Sequence, residues 1–384
     1  RYVKGLSFAV SGAYKRVEKE NTNTKTEVRF YDWAGNNTTK GGVLNSPSGI
    51  SEYHRYWNSY TLGAFAYYNR KFGQHQVDAM VGYTGENEDY KNLGASRWKG
   101  ETYPGSGLTD MNVFVGGDNN GADGGSHSWS FLSWVTDLRY NYDDRYLVSF
   151  LGRRDGSSKL SPKQRWKNFY SVSGGWVVSG EKFWENIGAA NYVNFLKVRY
   201  NYGKTGSVNG IGNYESFSTI STGSVYLGTT KLPTMWINGM TSSDRTWESL
   251  ISHNAGIDFG FFNNRLRASF DWFQKTNDGM FIDVTYPAVL GASAPKTNNG
   301  KLRTRGWEIE VNWRDRIGQV NYNVGFNVFD AKTKLLELTN NENVPTAGIN
   351  SKRLIGKPIN AIYVFQTDGG FQTQGEVDAY YEKT

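Results

Sequence analysis

The chain has 384 residues, with 43 Lys and Arg against 36 Asp and Glu for a net charge of +7, 45 Gly, 8 Pro and no Cys. The missing cysteine excludes a disulfide framework, thiolate zinc sites, iron–sulfur clusters and a cysteine nucleophile, and an aromatic content of 15% argues against disorder. A mean hydropathy of −0.61, with no apolar run long enough for a membrane helix, excludes a helical span but not a membrane barrel, whose alternating strands average to a polar value.

Period-two alternation, the strand signal, runs through the whole chain. It is present at Leu6–Val10, Tyr60–Tyr68, Val77–Tyr83, Leu132–Tyr142, Tyr146–Phe150 and Tyr170–Val178. It is strict where Leu196, Val198, Tyr200 and Tyr202 alternate with Lys197, Arg199 and Asn201. Ile251, Ala255, Ile257 and Phe259 share a face with His253. Leu266, Phe270 and Trp272 alternate with Arg267 and Asp271, and Ile309 and Val311 with Glu308 and Glu310. Val320 to Val328 repeats the pattern. This predicts about eleven long strands. The first set would face lipid and the charged set a lumen.

The connections alternate in length. Lys71-Phe72-Gly73, Asp143-Asp144-Arg145, Asn263-Asn264 and Asp315–Gly318 read as tight turns. Residues 18–54, 89–127, 205–246 and 278–302 read as long polar loops, and Gly121–Gly125 as loop. Gly180–Asn194 is longer than a tight turn and carries a possible helical turn at Glu181–Glu185; Thr26–Tyr31 reads as a strand extension. Short turns at one end, long loops at the other and aromatics near the strand ends favour an all-β, antiparallel transmembrane barrel with periplasmic turns and outer loops over a soluble sandwich. The chain starts at Arg1 and stops in a polar run at Thr384, and reads as an interior piece of a longer protein rather than a processed mature chain. Its first strand, near Lys4–Tyr14, and its last, near Ile362–Phe371, are expected not to pair.

Several segments then resemble one family. Tyr140–Leu147 leads into Arg153-Arg154-Asp155-Gly156-Ser157-Ser158, then Arg165-Trp166, Gly175-Trp176 and Glu181. Leu196–Arg199, Tyr202–Gly206, Trp247-Glu248, Asn254–Asp258, Asn264–Leu266, Gly306–Glu308, Gly356–Pro358 and Asp368–Thr373 follow in order. This set, covering about Ser128 to the C-terminus, resembles the SusC/RagA family of TonB-dependent outer-membrane transporters. Ser243–Thr246 departs from the family's usual run before the Trp-Glu pair, and residues 1–127 carry only general barrel character.

The resemblance implies part of one barrel domain of about twenty-two strands, with the plug and the C-terminal strands outside residues 1–384. It implies the outer membrane of a Gram-negative bacterium, crossed many times, with energy supplied through TonB. It implies a SusD-like lipoprotein lid, and glycan or oligopeptide cargo. A passive porin or secretion barrel is the first alternative, and a soluble glycan-binding β protein the second.

No enzyme site is read. His54, His75, His127 and His253 lack metal-ligand spacing, and Gly121–Gly125 lacks the Lys-Ser/Thr of a phosphate loop. Glu308 and Glu310 read as polar lining, and the Arg-Arg-Asp-Gly-Ser-Ser run as a structural strand end. No cofactor and no metal is expected. The basic residues are interspersed with acidic ones, which favours outer-membrane lipid over nucleic acid as a partner. Trp33, Trp98, Tyr103 and Trp236, in the long loops beside Asn, Gly and Ser, are the candidate substrate contacts and are expected to cluster above the barrel mouth, since a flat ring stacks on a sugar's apolar face. Trp129, Trp166 and Trp176 read as interface belt.

Overall fold

The computed structural model describes residues 3–25, 28–35, 43–44, 49–98, 119–282, 289, 297–338, 355–358 and 369–382. The strands are β1 (Leu6–Lys25), β2 (Val28–Arg29), β3 (Val43–Leu44), β4 (Gly49–Phe72), β5 (His75–Trp98), β6 (Asn119–Tyr142), β7 (Tyr146–Ser157) and β8 (Trp166–Val177). A short helix α1 (Lys182–Asn186) precedes β9 (Val193–Ser207). Then come β10 (Thr219–Leu227), β11 (Thr230–Asn238), β12 (Glu248–Phe261), β13 (Leu266–Ile282), β14 (Thr297–Ile317), β15 (Val320–Leu338) and helix α2 (Gln374–Tyr381). Among the described residues no helix is long and apolar enough to cross a membrane.

Eleven strands form one sheet in the order β1-β4-β5-β6-β7-β8-β9-β12-β13-β14-β15. Neighbours are antiparallel throughout. The barrel is partial and unclosed: β1 and β15 are its edges, and no described ladder joins them. The expected last strand lies mostly outside the described residues, with 369–371 in irregular backbone.

Register fixes the faces. Leu266 pairs with Trp313, Phe270 with Ile309 and Trp272 with Trp307, whereas Arg267 pairs with Asn312 and Asp271 with Glu308. Directly opposed residues share a face, so the alternation in each strand adds up to one apolar and one polar surface. A cleft of about 390 Å³ runs along the polar face from Gln76 on β5 to Asn254 on β12, so this face is concave. The convex face leaves Phe8, Val10, Leu62, Val148, Phe150, Val172, Val324 and Phe326 exposed.

The tight turns occur as expected. Asp143 and Asp144 adopt φ of 54° and 52°, a left-handed conformation that short polar residues tolerate, and Gly318 has φ of 60°. At the turn end, Phe72, His75, Tyr142, Tyr146 and Trp176 follow one another in register as an aromatic row on the convex face. The possible helical turn is α1. Of Thr26–Tyr31, Val28–Arg29 forms β2 and pairs with β3 in a separate two-residue ladder.

The loop end differs from the sequence reading. Strands β4, β5 and β6 each run 24 residues, where about 9–11 suffice to cross a bilayer. Among the described residues, most of what reads as loop in 18–54 and 89–127 is strand extension, and Gly121–Gly125 lies inside β6. Polar and glycine-rich sequence persists as strand there because ladder hydrogen bonds override weak propensity: β4 and β5 are paired on both sides, and 119–127 of β6 is paired along β5. Likewise 205–246 contains the β10–β11 hairpin, and β13 and β14 reach into 278–302.

Candidate functional site

The concave wall is built on charged residues that the even spacing turns inward. Arg199 on β9 donates to Asp258 on β12 (3.1 Å) and to both carboxylate oxygens of Asp271 on β13 (2.6 Å each), and it reaches Asn254 at 3.3 Å. Nearby, Arg139 pairs with Asp137, and a second hollow of about 700 Å³ is lined by Lys197, Arg265, Arg267 and Glu310.

At the outer end the connections fold back against this wall. Leu160, Phe169, Ile211 and Trp247 form a buried cluster, with Phe131, Val208 and Phe281 packed on it. Trp247 is 2% exposed, meets Phe131 and Phe169 edge-on at 5.7 and 5.5 Å, and donates its indole N–H to the Arg165 carbonyl at 3.1 Å. Glu248 accepts from the Phe281 N–H at 2.5 Å, Asn298 bonds Thr246 and Gly279, and Arg245 pairs with Glu215. The Trp-Glu pair is therefore a structural pin. The Arg153–Ser158 run is structural too: Arg153 holds Asp155 and Ser133, and the Ser158 hydroxyl accepts from the Ser130 N–H at 2.9 Å. Tyr214 caps the edge of β6 by accepting from the Ser128 N–H at 3.0 Å, and its bonds with Ser128 lower its pKa.

At the turn end, Glu181 is held below the usual carboxylate range. Tyr146 hydrogen-bonds it, Trp176 donates at 3.1 Å, and Arg145 donates at 2.8 Å.

Three of the four candidate contacts fall within the described residues. Trp33 is 99% exposed in the Asp32–Gly35 turn. Trp98 ends β5 on the concave face, with Gly49 opposite and the Lys25 ammonium 5.8 Å from its ring. Trp236 is 50% exposed on β11, its ring over Gly223. Tyr103 lies outside the described residues. No ring contact joins Trp33, Trp98 and Trp236 among the described residues.

The structure adds rings that the sequence reading missed. Trp57, Tyr90 and His127 are consecutive cross-strand partners on the concave face, with centroids 5.0 and 4.5 Å apart. Trp129 also faces inward, donating to Glu88 at 3.1 Å, and is not part of an interface belt. Continuing the period of β4 and β6 beyond the apolar segments would have exposed this inward set. Among the described residues no cluster of His, Asp and Glu suits a metal ion.

Comparison with known proteins agrees with the fold. The chain is 27% identical over 339 residues to TonB-dependent receptor P39 of Formosa agariphila, covering 86% of this chain and 30% of that protein. It is 25% identical over 367 residues to TonB-dependent receptor SusC of Bacteroides thetaiotaomicron, covering 88% and 33%. The chain thus spans about a third of these curated relatives. The RagAB peptide importer in its closed-closed state superposes with a TM-score of 0.76 at 20% identity, over 93% of this chain and 38% of that one. A family model described as TonB dependent receptor-like, beta-barrel, matches residues 5–383, and the chain belongs to that family.

Proposed function

We propose that this chain is the barrel wall and outer loops of a SusC-like, TonB-dependent importer in the outer membrane of a Gram-negative bacterium. It acts in transport and not as an enzyme, carrying glycans or oligopeptides. Its partners are a SusD-like lipoprotein lid and TonB. The plug and the remaining strands belong to the longer protein of which these residues form part. The observation that carries this reading is the division of an eleven-stranded sheet into an apolar convex face and a charged concave wall. Lipid outside and water or a plug inside satisfy both faces at once, which supports this reading. Trp33, Trp98, Tyr103 and Trp236 are proposed cargo contacts; Trp98 has the best support, because it lies on the concave face.

The test is uptake by cells carrying the full-length protein, with and without TonB. Accumulation that stops without TonB supports the importer. Accumulation that continues, or a steady ion conductance in planar bilayers, identifies a passive pore instead.

A further inference from the structure

The concave face of the outer extension carries unpaired cations set among aromatic rings. Lys19 on β1 and Arg55 on β4 are directly opposed partners in the ladder. Neither has an ion pair among the described residues. Two like charges in that position repel, and an anion held between them removes the repulsion and gains charge-assisted hydrogen bonds.

The neighbours are rings. The Arg55 guanidinium lies 5.1 Å from the Tyr53 ring. Tyr53 reaches over Gly94, where a Cβ would come within 2.5 Å of the ring. One step further down the strands is the Trp57–Tyr90–His127 row, and below it Trp129, with the Lys159 ammonium 5.5 Å from its ring. At the tip, Lys25 sits over Trp98. From Trp98 to the level of Trp129 the strand rises about 33 Å. That length suits an oligomer and not a single small molecule.

Along this path β4 and β5 are paired on both sides. Their backbone groups are satisfied, so a peptide gains no ladder hydrogen bonds by lying there. A pyranose chain needs none: its apolar faces stack on rings, and its substituents meet the side chains between them. We propose that Tyr53, Trp57, Tyr90, His127 and Trp129 form a track for an acidic oligosaccharide, with a carboxylate or sulfate held between Lys19 and Arg55. This rests on the importer reading and names the cargo class within it.

The experiment measures binding by calorimetry to the full-length protein in detergent, where energy coupling plays no part. The probes are a uronate hexasaccharide, a sulfated hexasaccharide, a neutral glucan hexasaccharide and an acidic hexapeptide. One or both acidic saccharides are expected to bind, and which of them does identifies the anionic group. Lys19→Gln with Arg55→Gln should weaken that binding on the order of tenfold and flatten its salt dependence; Trp57→Ala should weaken it on the same order. Heat-modifiable gel migration confirms that each variant is folded, and Arg55→Lys should retain most affinity. Equal binding of the neutral glucan, tighter binding of the peptide, no binding of either acidic saccharide, or unchanged affinity in the double variant overturns the track. TonB-dependent uptake with no such binding defeats the track alone, whereas such binding with TonB-independent uptake defeats the importer reading alone.

Discussion

Arg199 and Asp271 stand two strands apart, yet they are joined by two hydrogen bonds of 2.6 Å across the strand between them. Gly256 is the residue they bridge: it pairs with Arg199 on one side and Asp271 on the other. A Cβ at Gly256 would come within 2.5 Å of the Arg199 guanidinium carbon. The missing side chain opens the lane.

Gly256→Val is therefore expected to displace Arg199 and separate it from Asp271. Arg199→Met should leave Asp258 and Asp271 facing one another without a cation. The cluster is partly solvated, which screens it, so the loss should be about 1–2 kcal/mol. Urea titration of the full-length protein refolded in vesicles measures it; an unchanged midpoint in Arg199→Met would mean that the cluster adds nothing to stability.

The two faces should respond oppositely to charge. Phe270→Arg, on the apolar face opposite Ile309, should cost about 2–4 kcal/mol of folding stability in lipid. Asn327→Arg, opposite the inward Glu310, should cost far less. Equal losses at the two positions would contradict the assignment of faces.

Trp247→Ala removes the centre of the outer cluster. Loss of a buried tryptophan costs about 3–5 kcal/mol, and here it should loosen the connections pinned by Arg165 and Phe169 without undoing the sheet. Limited proteolysis should then cut within 158–165 and 208–218 while heat-modifiable migration persists. Protection equal to the parent protein would show that the loops are held by other contacts.

Glu181 gives a pH dependence. Its pKa in the folded protein is depressed by Tyr146, Trp176 and Arg145. Its contribution is present above the ordinary carboxylate pKa of about 4.3 and is lost as pH falls through the lower folded value. Glu181→Gln should lower stability near neutral pH and leave acid pH less affected, which reduces the acid-side slope of stability. Denaturant titrations from pH 3 to pH 7 with parallel slopes would exclude this.

Much of the molecule was legible in sequence because a strand's side-chain period is two wherever one face is apolar. Leu266, Phe270, Ile309 and Val311 declare their face without any partner, and the eleven strands of the main sheet and their tight turns follow from such runs. That signal fades where both faces are wet. Residues 89–98 and 119–127 carry no hydrophobic stripe, so only pairing with their neighbours makes them strand and lines up Trp57, Tyr90 and His127. Alternation also cannot say which strands adjoin. The meeting of Arg199 with Asp271, of Lys19 with Arg55, and of Trp247 with Phe131 and Phe169 depends on ladder register and on loops folding inward. These are contacts between distant parts of the chain, set by the closing of many hydrogen bonds together, and no local pattern of residues encodes them.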